Sequence, residues 1–167
     1  MDTVENDPST NSGMIYRLNA GFGFRVAGNN AKNDGILGNL EIGYQSKPFL
    51  GGRFSTETGT SIDLFGETSH VGAYFQLNYH INRFWTLGLR GLAGGISDEK
   101  EQRAPTEDEQ DLGALTHGAL QLSYRLDKNF FLGARVGAEW QFYGNSSGDQ
   151  GTQMSLFSYL NLAYHFE

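Results

Sequence analysis

The sequence has no cysteine and only three prolines among its 167 residues. Without thiols it can form no disulfide, iron–sulfur cluster or cysteine-ligated zinc site. It also lacks any apolar run near the ~18 residues of a membrane-spanning helix, and its mean hydropathy is −0.43. A transmembrane helix is thereby excluded, but a membrane protein is not, because barrel strands distribute their apolar residues by alternation. Basic charge is in short supply: 12 Lys and Arg face 19 Asp and Glu, for a net charge of −7. Nucleic acid is therefore a poorly matched partner. The opening, Met1 followed by Asp-Thr-Val-Glu-Asn-Asp, has neither the basic start nor the apolar core of a secretory leader. The expectation is either a cytoplasmic chain or a mature form carrying an added start methionine. The length fits one domain, or one domain with a tail.

Glycine is abundant, at 23 residues. Residues 2–13 are polar and aperiodic and are expected to form a flexible tail, with the folded domain over 14–167. From Met14 onward the dominant period is two, and helical periodicity is missing. Tyr16, Leu18, Ala20, Phe22, Phe24 and Val26 share one face, opposite Arg17, Asn19, Gly21, Gly23 and Arg25. The same alternation recurs over 36–45, 49–58, 71–80, 85–95, 112–125, 130–143 and 154–166. It is weak over 49–58, and Leu92 breaks it in the fifth segment. Eight strands are predicted.

Their connections alternate in length. Short links are expected near Ser46-Lys47-Pro48, Ile81-Asn82-Arg83 and Asp127-Lys128-Asn129, and longer polar loops over about 27–35, 59–70, 96–111 and 144–153. Short turns at one end and long loops at the other describe an all-β, antiparallel up-and-down meander. An even strand number lets such a sheet close and lose both edges.

Alternation does not say whether the apolar face points inward or outward. The aromatic residues do. Tyr16, Tyr44, Tyr79, Trp85, Tyr124, Phe130, Tyr164 and Phe166 lie on the apolar face beside the short-turn end, drawn from seven of the eight predicted strands. Amphipathic rings at one height suit the headgroup level of a bilayer, whereas a soluble barrel core has no use for a rim of tyrosines. The opposite face carries six arginines (Arg17, Arg25, Arg53, Arg90, Arg125, Arg135) and three glutamates (Glu41, Glu57, Glu139), separated by glycines. Glycine beside arginine fits a crowded interior. The apolar face is predicted to meet lipid and the charged face to fill the lumen.

Eight strands, short turns opposite long loops, and the ending Leu160-Asn-Leu162-Ala-Tyr164-His-Phe166 resemble the small bacterial outer-membrane barrels, the class of the OmpA transmembrane domain and the OmpX/Ail group. The resemblance covers residues 14–167 as a pattern rather than as a motif. It implies an outer-membrane location, turns on the periplasmic side and loops outside. It also implies a monomer surrounded by bilayer and lipopolysaccharide, and recognition of the last strand by the barrel-assembly machinery through Phe166. Glu167, following Phe166, departs from that pattern.

An eight-stranded barrel is only just wide enough for side chains to fill. The inward charges, with His117 among them, are therefore expected to pair. A first turn centred on Lys47 would set Glu41 opposite Arg53, and a third centred on Lys128 would set Gln121 opposite Arg135 and His117 opposite Glu139. The expected function is structural or surface-interacting, of an adhesion type, through the outer loops; the alternative is a narrow, anion-preferring channel. Enzyme chemistry is not expected. Ser69 and His70 make a poor nucleophile and general base, since adjacent strand residues point to opposite faces, and the His-X-Ser pattern of the lipid A deacylases is missing. The remaining histidines, His80, His117 and His165, read as hydrogen-bonding fillers. Loop 96–111 holds seven acidic and two basic residues and reads as a solvated segment without calcium-loop spacing. No cofactor or metal is expected.

Overall fold

A computed structural model describes residues 12–27, 35–65, 68–98, 111–144 and 150–166, with side chains over 12–23, 36–63, 70–96, 113–142 and 152–166. The eight strands are β1 (Gly13–Ala27), β2 (Gly35–Gln45), β3 (Phe54–Phe65), β4 (Thr68–His80), β5 (Trp85–Asp98), β6 (Asp111–Arg125), β7 (Phe130–Gly144) and β8 (Gln150–Phe166). Each pairs antiparallel with the next, and β1 pairs with β8 to close the barrel. Closure matters physically, because it satisfies the backbone N–H and C=O groups that an open sheet edge would leave unpaired.

The alternation seen in the sequence becomes two surfaces of opposite character. Outward residues are large and apolar: Leu18, Phe22, Ile36, Phe75, Leu89, Leu120, Val136 and Leu160 are all exposed, Leu160 to 68%. Inward residues are polar, and the largest fully buried side chains include Arg90, Arg135, His165, Gln76, Glu41 and Glu57. A soluble globule arranges its side chains the other way round.

At the turn end, side chains hold the connections. Asn82 Oδ1 accepts from the backbone N–H groups of Phe84 and Trp85, at 2.8 and 2.9 Å. Asp127 Oδ1 accepts from the Lys128 N–H. Between β2 and β3 a bridge joins Phe49 and Phe54, and Leu50, Gly51 and Gly52 all take positive φ. Glycine adopts that region freely, but Leu50, at φ 50°, does so at a steric cost.

That turn corrects the expected third strand. The chain reverses at 50–53, so β3 occupies Phe54–Phe65 rather than 49–58, and only residues 66 and 67 separate it from β4, where a loop over 59–70 was expected. The reason is compositional. The outward face of β3 carries Thr56, Thr58 and Thr60, which favour strands but do not register as apolar. The register moves with it: Glu41 faces Ser61, not Arg53. The other strands also extend into the expected loops, β1 to Ala27, β5 to Asp98 and β8 from Gln150. Residues 28–34, 99–110 and 145–149 lie outside the described residues, as do Glu167 and the expected tail up to residue 11, while Gly13 already belongs to β1.

Leu92 has a structural explanation. It points inward and packs with Tyr74, Ile96 and Leu115 into a small apolar cluster in the loop-side half of the lumen. A second cluster joins Ala119, Phe157 and Tyr159, with Leu37 against it.

Candidate functional site: the charged lumen and its aromatic rim

Five of the ten side chains expected in the lumen meet in one layer. Glu41 on β2 receives three arginines from three strands. Arg17 Nη1 on β1 lies 2.9 Å from Oε2, Arg90 Nη2 on β5 lies 2.7 Å from Oε1, and Arg135 on β7 bonds both oxygens, at 2.7 and 3.1 Å. Arg17 also forks onto Glu57 of β3, at 2.8 and 2.9 Å. A planar guanidinium with two parallel donors fits a carboxylate in this way, and an ammonium could not. The Tyr74 hydroxyl donates to Glu57 Oε1 at 2.6 Å, and the Tyr74 ring lies under Arg90, 3.6 Å from Cζ. Gln121 Oε1 accepts from Arg135 Nε and Nη2, at 3.0 and 2.7 Å.

Cross-strand register accounts for part of this layer. Arg17 faces Glu41, Gln76 faces Arg90, and Gln121 faces Arg135, the last as a turn centred on Lys128 requires. The Glu41 contacts with Arg90 and Arg135 are different in kind, because they cross the lumen between strands that are not neighbours. The layer holds three guanidinium groups against two carboxylates. Arg17 Nε, Arg90 Nε and Arg90 Nη1 are buried there without a partner among the described residues.

Four of the other five expected residues lie elsewhere. His117 and Glu139 face each other toward the loop end, with His117 Nδ1 3.8 Å from Glu139 Oε2. Arg125 sits at the turn end, where its Nε donates to the Asp127 carbonyl at 3.1 Å. Arg53 is a correction: it stands in the β2–β3 turn, outside the lumen, because the chain reverses at that point. The Arg25 side chain lies outside the described side chains.

Sequence reasoning missed Tyr74 as a member of the layer, although its place on the polar face of β4 was a signal. It also missed two further pairs. Asn19 donates to Asn39 at 2.6 Å, and His70 Nδ1 lies 2.6 Å from Asp63 Oδ2. Asp63 falls in a loop when read by pattern, which hid its pairing with the histidine. The Ser69 side chain, the other half of the Ser-His dipeptide, lies outside the described side chains.

The eight rim aromatics lie on the outward face near the turns. Phe166 contacts Tyr16 and Tyr164, with centroids 5.3 and 4.4 Å apart, and Tyr164 contacts Phe130 at 4.7 Å. Trp85 and Tyr124 meet at 4.8 Å across β5 and β6. Tyr79 packs on Phe54 at 5.2 Å, Tyr44 is exposed on β2, and Phe49 and Phe84 extend the rim onto the turns. Along β7 the outward face runs ten residue steps, from Phe130 to Trp140. At ~3.4 Å per residue and ~40° of tilt, that spans about 26 Å, the height of a membrane barrel's apolar band.

These features define a class, a closed eight-stranded antiparallel barrel with an apolar outer wall and a charged interior. No family model matches the chain, and no curated protein matches it. Among solved structures it is similar to Ail, the attachment invasion locus protein of Yersinia pestis. One is a crystal structure in complex with the heparin analogue sucrose octasulfate, 12% identical, covering 93% of this chain and 97% of that one, with a TM-score of 0.44. Another is the backbone structure of Ail in a phospholipid bilayer nanodisc, 14% identical, covering 92% and 99%, with a TM-score of 0.33.

Proposed function

We propose that this protein is an outer-membrane barrel, plugged by its own charged side chains, that works as a structural or adhesion-type surface protein through the loops at its open end. One observation carries the membrane reading: the wall exposes Leu, Val, Ile and Phe from all around the sheet while Arg90, Arg135, Glu41 and Glu57 are completely buried. In water that arrangement would leave an apolar surface far larger than the few hundred Å² a monomer normally tolerates. In a bilayer it is the stable one. The rim of Tyr and Trp would then lie at the periplasmic headgroups, with lipopolysaccharide around the loop end and the assembly machinery reading β8. The protein acts as a monomer and without catalysis in this reading.

Refolding into detergent tests it. The folded barrel should migrate differently from the boiled chain on a gel, and a chain that folds in plain buffer without detergent would overturn the membrane reading. Surface binding is then measured with cells expressing the protein with each loop replaced in turn by a short glycine-serine link. Loss of binding on replacing one loop, with the gel shift kept, supports the adhesion role.

The excess guanidinium in the central layer favours a second reading, a narrow channel that prefers anions. Planar-bilayer recording decides between the two. Discrete current steps with anion selectivity would promote the channel, and silence after confirmed insertion would leave the plug and the loops.

A further inference from the structure

The turn end of the lumen is not completely filled. A small cavity of about 40 Å³ opens there toward the turns. Its floor is the edge of the charged layer, with Arg17, Glu57, Gln76 and Gln121, and its mouth is lined by Arg83, Phe84 and Arg125. The lining is one-sided in charge. Arg83, Arg125 and the neutral donors of Asn78, Thr86 and Ser123 line it, while Arg17 and Glu57, the sole carboxylate among the described residues of the lining, are paired with each other. Two of the lining side chains each keep a buried polar atom without a partner among the described residues: Arg17 its Nε–H, a donor, and Gln76 its Oε1, an acceptor.

We propose that this vestibule is a binding site for a small oxyanion, of the phosphate or phosphate-monoester class, entering from the turn side. Guanidinium groups in a partly enclosed space attract such an anion more strongly than they would on an open surface. The guanidinium groups and the neutral N–H and O–H donors of the lining suit such an acceptor. The same chemistry is offered by free phosphate and by the phosphate-monoester headgroup of phosphatidic acid at that face of the bilayer. The site is independent of whether the central layer passes ions.

The test is a titration of the refolded protein with inorganic phosphate, followed through the arginine Nε–Hε resonances by two-dimensional NMR. Arg17, Arg83 and Arg125 should shift together and saturate, with a Kd of about 1 mM, and Arg53, on a different turn, should not. R83Q with R125Q should weaken binding about tenfold, as expected for lost charge-assisted bonds. Arg125 also holds turn carbonyls, so R83Q alone serves where the double variant does not show the folded gel band. Titration in nanodiscs separates the sources. If phosphatidic acid suppresses the shifts and phosphatidylcholine does not, the ligand is a lipid headgroup; equal shifts in both assign a free anion. Absence of saturation by about 10 mM phosphate, or equal shifts at Arg53, would overturn the site.

Discussion

In the middle of the lumen Arg17, Arg90 and Arg135 converge on Glu41 and Glu57, with Tyr74 and Gln121 completing the layer. Toward the loop end the polar groups among the described residues meet in small sets, Glu139 with His117 and Gln141, and His70 with Asp63, set among Leu92, Ile96, Leu115 and Phe157. The two regions stabilise the barrel by different means. A buried charge network is costly to assemble and more costly to break, because each member left alone keeps its desolvation penalty. An apolar cluster with a few polar pairs responds to each change locally. The central layer should therefore act as one unit and the loop-side half as separate contacts.

The largest effect should come from Glu41→Gln. Removing that carboxylate leaves three arginines sharing Glu57, and should cost about 3–5 kcal/mol of unfolding free energy, measured by urea titration of the gel-shifted band in detergent or lipid. A loss below about 1 kcal/mol would mean that the layer does not act as a unit.

Next comes a change on the other side of the wall. Val136 lies midway between Phe130 and Phe142 on the outward face of β7. Val136→Arg should cost about 2–4 kcal/mol in a bilayer, the depth-dependent penalty of a charge at the midplane, and almost nothing if that face met water. Refolding the variant into liposomes beside the unchanged protein measures the difference.

Two glycines on adjacent strands give a smaller contrast. At Gly137 an added Cβ would come within 2.5 Å of the Gly118 carbonyl and 2.6 Å of the Phe157 ring, whereas at Gly118 it would meet nothing within 4 Å. Gly137→Ala should cost about 1–3 kcal/mol through overpacking of the lumen. Gly118→Ala should change stability by no more than about 0.5 kcal/mol. Urea midpoints of the two variants sharpen the distinction between inner and outer surface.

Among the lumen changes, the smallest effect is expected at the loop-side pair. Glu139→Gln should cost about 1 kcal/mol, since His117 is 3.8 Å away and Gln141 is the nearer partner. Combined with Glu41→Gln, its effect should add, and a coupling above about 1 kcal/mol would merge the two regions into one network.

The sequence made much of this legible, and its failures share a cause. Period-two patterning reads well where the outer face is Leu, Val or aromatic, as on β1, β7 and β8. On β3 the outward threonines lower the contrast, so pattern alone displaces the strand toward the turn even though Gly51-Gly52, a common hairpin signal, marks the reversal. That displacement carries Arg53 into the lumen and hides Asp63 from it. Gln121 and His117 fall opposite Arg135 and Glu139 as expected because the β6–β7 hairpin is short and its turn residues fix the register.

By itself, the sequence determined the strand number, the two faces, the aromatic rim and the character of the lumen, because each depends only on alternation and on which residues lie beside turns. Tertiary structure decided which charges meet. The contacts of Glu41 with Arg90 and Arg135 join strands that are never neighbours in the sheet. They are set by how the sheet closes and staggers, a property of the whole barrel that no hairpin register contains.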